Sequence, residues 1–264
     1  MEQPFWEWIP GEGAVVAAAI HDGHGLRAEA QERICLDEAE RLREEDPFTA
    51  AWAALVQPRI RTFRSRFEVD LNRPPEQAVY LKPEDSWGLK VWREPPAPDC
   101  IADSLGAYGD FYSGVERRLR EIEERHGFFV LLDLHTYNHR RAGPDQAPAD
   151  PEKNPEINIG TASCRRELWG PLIDRFIADL RSFDFQGRSL DVRENVKFLG
   201  GNFPRWIHRT FPQSGLALAV EFKKIFMDEW TGELNLDLHR VLGEALASTF
   251  GGLRASLQAM GGRL

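Results

Sequence analysis

The sequence predicts a single α/β domain over residues 1–264. Three observations predict it. Strand-like apolar runs and amphipathic helical stretches alternate along the whole length, the pattern of a sheet layered with helices. The strand-like runs are short and apolar throughout, as strands covered on both faces are. Several of them stop abruptly in polar clusters, which is where open α/β sheets place their sites. A chain of 264 residues with 42% hydrophobic and 28% charged residues could form one large domain or two small ones, and the unbroken alternation favours one.

In chain order, Ala14 to Ile20 reads as a short buried strand. It runs into His21-Asp22-Gly23-His24-Gly25, where two glycines let the backbone turn sharply. Glu29 to Glu44 has helical spacing with its charges on a solvated face, and Pro47 closes it in the turn Glu45-Asp46-Pro47. Part of Pro58 to Val69 alternates as a strand and leads into Asp70-Leu71-Asn72-Arg73-Pro74-Pro75. Pro74 to Pro98, rich in Pro, Trp and acidic residues, reads as a long ordered surface loop covering a cleft. Phe111, Val115, Leu119 and Ile122 keep the spacing of an amphipathic helix over Tyr108 to Arg125, stopped by Gly127.

That helix delivers the chain into the central stretch, Phe128 to Arg141. Its first half is apolar and β-favouring. Asp133 and His135 then sit two apart, so in a strand they share a face, and an amide, a second His and two Arg follow. Four prolines make 142–156 an irregular crossing, and Glu156 to Thr161 reads as strand and turn. Leu168 to Leu180 is a second amphipathic helix. Val192 to Leu199 is strand-like and ends in Gly200-Gly201, where a ligand could approach the backbone closely. Leu216 to Phe222 is the last buried strand, Met227 to Gly232 a polar turn, and Leu236 to Gln258 a closing helix.

Composition excludes several classes. A net charge of −9 argues against nucleic acid or an anionic membrane as partner. No apolar run approaches a membrane span, and Met1 to Trp8 lacks the basic start and apolar core of a signal peptide. Cys35, Cys100 and Cys164 are odd in number and widely spaced, which predicts reduced thiols in the cytoplasm. No CxxC occurs, so a cysteine-based zinc site is not expected. These patterns leave the oligomeric state open.

Five strand ends offer His21, Asp46, Arg66 to Arg73, His135 and Glu221. A hydrolytic zinc takes three His or carboxylate ligands and leaves one position for water, and His, carboxylate, His supplies that number. Glu221 closes a run so apolar that it needs a partner or a raised pKa, and a Glu beside a metal can take a proton from water. Arg66, Asn72 and Arg73 suit a bound carboxylate, because guanidinium grips it in two-pronged fashion. Each residue also has a structural reading. His135 could be a core His beside Asp133, Arg66 an ion-pair partner of Asp70, and Glu221 a partner of Lys223 or Lys224. HxxH at His21 and His24 is by itself a weak metal signal.

Taken together, these blocks resemble the N-formylglutamate amidohydrolase family, within the wider zinc carboxypeptidase-like hydrolases. The matching pieces are His21-Asp22-Gly23, the Glu45-Asp46-Pro47-Phe48-Thr49 turn, Ser65 to Pro74, Asp133 to Asn138, Ile157 to Thr161, Asn195 through Gly200-Gly201, and Glu221-Phe222. They keep their order from about residue 15 to about residue 235. The resemblance implies a mixed central sheet with helices on both faces, a single zinc, and hydrolysis of the N-formyl amide of an acidic amino acid. It implies His21, Asp46 and His135 as metal ligands, with Glu45 as a rival to Asp46 and His24 as an additional candidate. Glu221 would activate the water and then protonate the leaving nitrogen. Arg66, Asn72 and Arg73, helped by Arg140, would hold a small anionic substrate. The zinc carboxypeptidases proper carry HxxE, whereas the fourth position here is His24. His139-Arg140-Arg141 and Lys223 to Trp230 mark a distinct branch, so a peptidase or deacylase acting on another acyl-amino acid is the alternative enzyme. A carboxylate-binding module without turnover is the alternative outside enzymes.

Overall fold

Alternation within the strands decides the layering. The computed structural model describes residues 4–263; Met1 to Gln3, the start of the N-terminal stretch read above, and Leu264 lie outside the described residues. In chain order the elements are β1 (Trp6–Ile9), β2 (Val15–Ala19), α1 (Ala28–Arg33), α2 (Glu38–Glu44), α3 (Thr49–Ala53), β3 (Arg59–Thr62), α4 (Pro98–His126), β4 (Phe129–Tyr137), β5 (Ile157–Gly160), α5 (Arg166–Ser182), β6 (Val192–Glu194), α6 (Asn202–Thr210), β7 (Gly215–Lys223), α7 (Leu236–Ser248) and α8 (Phe250–Ala259). Val15, Ala17 and Ala19 of β2 join one apolar cluster, while Val16 and Ala18 join another. β4 and β7 divide in the same way, so all three strands are buried on both faces and need helices on both sides. α3, α5, α7 and α8 cover the first face with Trp52, Trp169, Phe176 and Leu246. α4 and α6 cover the second with Phe111, Leu119 and Phe203.

Among the described residues the sheet has seven strands in the order β1-β3-β2-β4-β7-β5-β6. β3, β2, β4 and β7 run parallel; β1 joins antiparallel at one edge, and β5 joins β7 antiparallel on the other side. The sheet is therefore mixed, with helices on both faces, as the family resemblance implies. No helix among the described residues is long and apolar enough to cross a membrane.

Several boundaries differ from the sequence reading, each for a local reason. The helix expected over Glu29 to Glu44 is two helices, because Asp37 accepts from the Glu40 amide while Glu40 reaches back to the Asp37 amide. This capping box starts a new helix where the old one would have continued. The helix expected from Tyr108 begins at Pro98, a residue suited to the first helical position. The strand expected over Val192 to Leu199 ends at Glu194, where Asn195 turns to φ +54°. The single closing helix is interrupted at Thr249. β1 and α6 had not been expected at all.

Candidate metal centre

Strand register brings the functional residues to one place. β4 and β7 are parallel neighbours in which His135 lies opposite Glu221, and Asp133 opposite Ala219. On the other side of β4, Asp133 lies opposite Ala18 of β2. Asp133, His135 and Glu221 share the parity of the residues facing α4 and α6, so they emerge on one face, Asp133 at the middle of β4 and His135 and Glu221 toward the strand ends. His21 follows β2 by two residues, and its carbonyl accepts from the Asp46 amide at 3.0 Å. That bond ties the turn after α2 to the end of β2.

The side chains then converge. His21 Nδ1 is 3.2 Å and His135 Nδ1 2.8 Å from the same oxygen, Oδ2 of Asp46. The other Asp46 oxygen accepts from Thr136 Oγ1 at 3.0 Å. His21, Asp46 and His135 are all buried, and their ligand atoms lie within 4.8 Å of one another. Behind them stands a second layer of carboxylates. His21 Nε2 meets Asp70 Oδ1 at 2.8 Å, and His135 Nε2 lies 2.9 Å from Asp133 Oδ2. A carboxylate behind each imidazole is the arrangement that fixes tautomer and ring orientation at metal sites. Asp133 is fully buried, and among the described residues its side chain is paired with the His135 imidazole alone. A metal at Nδ1 of His135 would place that ring's proton on Nε2, toward Asp133, so the donor set fits a divalent ion.

The other metal candidates turn away. His24 Nδ1 is 2.5 Å from Glu45 Oε2, and the second Glu45 oxygen accepts from the Ser65 hydroxyl. Glu45 and His24 thus engage each other, and Asp46 stands with the two histidines.

The electrostatics are polarised. Burial alone would raise the Asp46 carboxyl, but hydrogen bonds and charge from His135 and His21 hold it well below the usual carboxylate range. Against burial, the Arg66 charge and His21 do the same for Asp70. Burial opposes the charge on His135, yet Asp133 and Asp46 keep it well above the usual imidazole range. Glu221 goes the other way: burial pushes it up to about 8, with His135 pulling against that rise.

These groups line a cavity of about 360 Å³. Glu221 opens onto it and makes no hydrogen bond or ion pair among the described residues; no contact joins it to Lys223 or Lys224. Arg66 lines the cavity while also pairing with Asp70 at 2.7 Å, so the structural reading of that pair and its place in the cavity wall coexist. Arg73 is half exposed and only loosely near Asp70, at 3.9 Å. Asn72 Nδ2 lies 3.3 Å from His135 Nε2, and Asn72 Oδ1 accepts from the Phe203 amide at 2.9 Å. Arg140 is not brought to the cavity: its guanidinium donates to the Pro144 and Gln146 carbonyls. Its neighbour Arg141 lines the cavity instead, held to Glu44 at 2.6 Å.

Sequence reasoning missed Arg205, Lys197 and Trp87, which also line the cavity. Arg205 is exposed, on the first turn of α6, and its guanidinium has no partner among the described residues. Trp87 lies on the loop expected to cover a cleft, with the guanidiniums of Arg66 and Arg141 4.8 and 5.6 Å from its ring. Only the loop's Trp and Pro content hinted at this.

Gly201 fits its place for a steric reason. A β-carbon there would overlap the Asn72 carboxamide. Gly201→Ala should therefore displace Asn72 and lower kcat/KM by about tenfold or more, since even a 1 Å misplacement can cost about a hundredfold. Unchanged kcat/KM in a folded variant would show that Asn72 has no part in substrate positioning.

A family profile described as N-formylglutamate amidohydrolase matches residues 13–227 of the chain. The N-formylglutamate amidohydrolase from Ralstonia eutropha JMP134 is similar in structure, with a TM-score of 0.74 at 17% identity, covering 95% of this chain and 98% of that one. A gene product of Agrobacterium tumefaciens is similar with a TM-score of 0.62 at 20% identity, covering 93% of this chain and 96% of that one. At these identities the structural likeness is one of fold. No curated protein sequence matches the chain.

Proposed function

The chain belongs to the N-formylglutamate amidohydrolase family, hydrolases of an amide bond, and from that premise we propose that it is a zinc-dependent enzyme cleaving the N-formyl amide of an acidic amino acid. The observation that carries this reading is the convergence of His21 Nδ1 and His135 Nδ1 on one Asp46 oxygen, with Glu221 opposite His135 in the wall of the same cavity. His21, Asp46 and His135 would hold zinc, and two imidazoles with one carboxylate suit a hydrolytic zinc that keeps one position for water. Bound there, zinc would supply Lewis-acid polarisation of the amide carbonyl and acidify a water.

The chain's own residues supply the rest. Asp70 and Asp133 hold the imidazoles in orientation from behind. Glu221 takes a proton from the attacking water on its carboxylate and delivers it to the amide nitrogen as the C–N bond breaks. The products are formate and the free amino acid, so the proton and the bond are both accounted for. Asn72 and Arg73 receive the substrate's carboxylate, and Arg66, already fixed by Asp70, offers a guanidinium edge to developing negative charge on the carbonyl oxygen. The three cysteines are unpaired, which supports a cytoplasmic location.

The direct test is formate release from N-formylglutamate by the purified, zinc-loaded protein, run beside N-acetylglutamate and a dipeptide. Turnover of either rival without formate release would reassign the enzyme to the deacylases or peptidases. No turnover of any, with zinc bound, would leave a carboxylate-binding module.

A narrower prediction concerns the carboxylate. Arg73→Ala should raise KM for the carboxylate substrate far more than for its neutral amide. A hydrogen bond to a charged group contributes about 1.5–3 kcal/mol, or roughly ten- to a hundredfold. Equal losses on both substrates would remove Arg73 from this role.

A further inference from the structure

One buried charge has no part in the mechanism above. Lys224, the residue after β7, is 1% exposed. Among the described residues its ammonium forms no ion pair; it donates to two main-chain carbonyls, those of Arg43 at 2.6 Å and Glu45 at 2.8 Å. Taking an ammonium out of water is costly, and main-chain oxygens return only part of that cost. The nearby carboxylates are engaged elsewhere: Glu44 with Arg141, Glu45 with His24 and Ser65, and Glu229 with the His139 and Arg140 amides.

The two carbonyls flank the end of α2, immediately before Asp46. The last carbonyls of a helix have no partner inside it, and a cation there satisfies them and complements the helix dipole. Asn138 Nδ2 donates to the same Arg43 carbonyl at 2.8 Å. Asn138 follows His135 by three residues and Lys224 follows Glu221 by three, and Tyr137 lies opposite Lys223 in the ladder. The two clasping side chains therefore leave neighbouring strands at the same level. On the other side the Asp46 amide is bonded to the His21 carbonyl. Each chain segment that carries a histidine of the site, and the one that carries Glu221, thus also grips the turn carrying Asp46.

We infer that Lys224, assisted by Asn138, is a positioning residue: it clamps the α2 end so that the Asp46 carboxylate stands between the two histidines, and metal affinity depends on that clamp. The inference rests on the metal reading of the site and is independent of the substrate assigned above.

The test uses zinc alone, without substrate. Zinc affinity is measured by chelator competition, alongside thermal melting of the metal-free proteins, for wild type, Lys224→Met and Asn138→Leu. Lys224→Met keeps the aliphatic stem and removes the donors. It should melt near the wild-type temperature and bind zinc about ten- to a hundredfold more weakly, the usual cost of losing an outer partner of a metal site. Asn138→Leu should show a smaller loss in the same direction. With cobalt in place of zinc, the visible absorption band of Lys224→Met should shift, because the Asp46 oxygen is displaced. A folded Lys224→Met that binds zinc like wild type overturns the inference. If Lys224→Met does not fold, Asn138→Leu decides, and unchanged zinc affinity there overturns it. A wild type that binds no zinc overturns the metal reading as well. A wild type that binds zinc but releases no formate fails only the substrate assignment.

Discussion

His135→Ala is expected to strip the protein of metal and of activity together. The imidazole meets three groups: Asp46 Oδ2 at 2.8 Å on one nitrogen, and Asp133 Oδ2 at 2.9 Å and Asn72 Nδ2 at 3.3 Å on the other. Removing it takes away a ligand and also leaves Asp46 with a single histidine. Loss of an outer partner already costs about ten- to a hundredfold in metal affinity, so loss of a ligand should exceed that. The fold has its own support: β4 is paired along its length with β7 and packs on both faces. The risk lies at Asp133, whose carboxylate would be buried without the imidazole beside it. His135→Gln, which leaves a polar group against both carboxylates, guards against a folding defect and should bind metal no better. Metal analysis after dialysis is the measurement. One equivalent of zinc retained by a folded His135→Ala would remove His135 from the ligand set.

How much of this was readable in the sequence depends on whether a feature is local or made by the fold. Strand ends are local: an apolar run that stops in His135 or Glu221 announces itself; those runs predict an α/β domain, and the family resemblance implies that its sheet is mixed. The choice between Asp46, Glu45 and His24 is not local. All three sit near turns, and what separates them is a contact across the chain, His24 with Glu45 and Asp46 with His21 and His135. Arg140 and Arg141 differ by one residue in an irregular segment with no period to say which faces inward, and it is Arg141 that lines the cavity. α6 was hidden by Gly200-Gly201 before it and Pro204 within it, although proline is tolerated in a first helical turn. Arg205 was hidden with it. β1 reads Trp-Glu-Trp-Ile, and its place at the sheet edge comes from pairing with β3. The sequence offers Lys223 or Lys224 as a structural partner for Glu221, yet the stem of Lys224 carries its ammonium to the end of α2.

Glu221→Gln is the second large effect, and it separates chemistry from binding. The carboxylate opens onto the cavity and has no hydrogen bond or ion pair among the described residues, so nothing but water and substrate competes for its proton. Burial pushes it up to about 8, and a cation held by His21, Asp46 and His135 would favour its ionised form, the form a base needs. Glutamine keeps the size and much of the hydrogen bonding but cannot take a proton. General acid–base work typically contributes about a hundred- to ten-thousandfold, so kcat should fall at least about a hundredfold while zinc content and KM stay near wild type. Loss of zinc from the variant would make Glu221 a ligand and reopen the role of Asp46. Full activity would return Glu221 to a structural part and send the search for a base elsewhere. The alternatives are poorly placed: Glu45 is engaged by Ser65 and His24, Asp133 lies fully buried behind His135, and His139 stands beside Glu229, with burial pushing it down to about 4. Glu221 alone combines a cavity-facing carboxylate with a place in register beside His135, and steady-state kinetics with metal analysis of this one variant put that combination to the test.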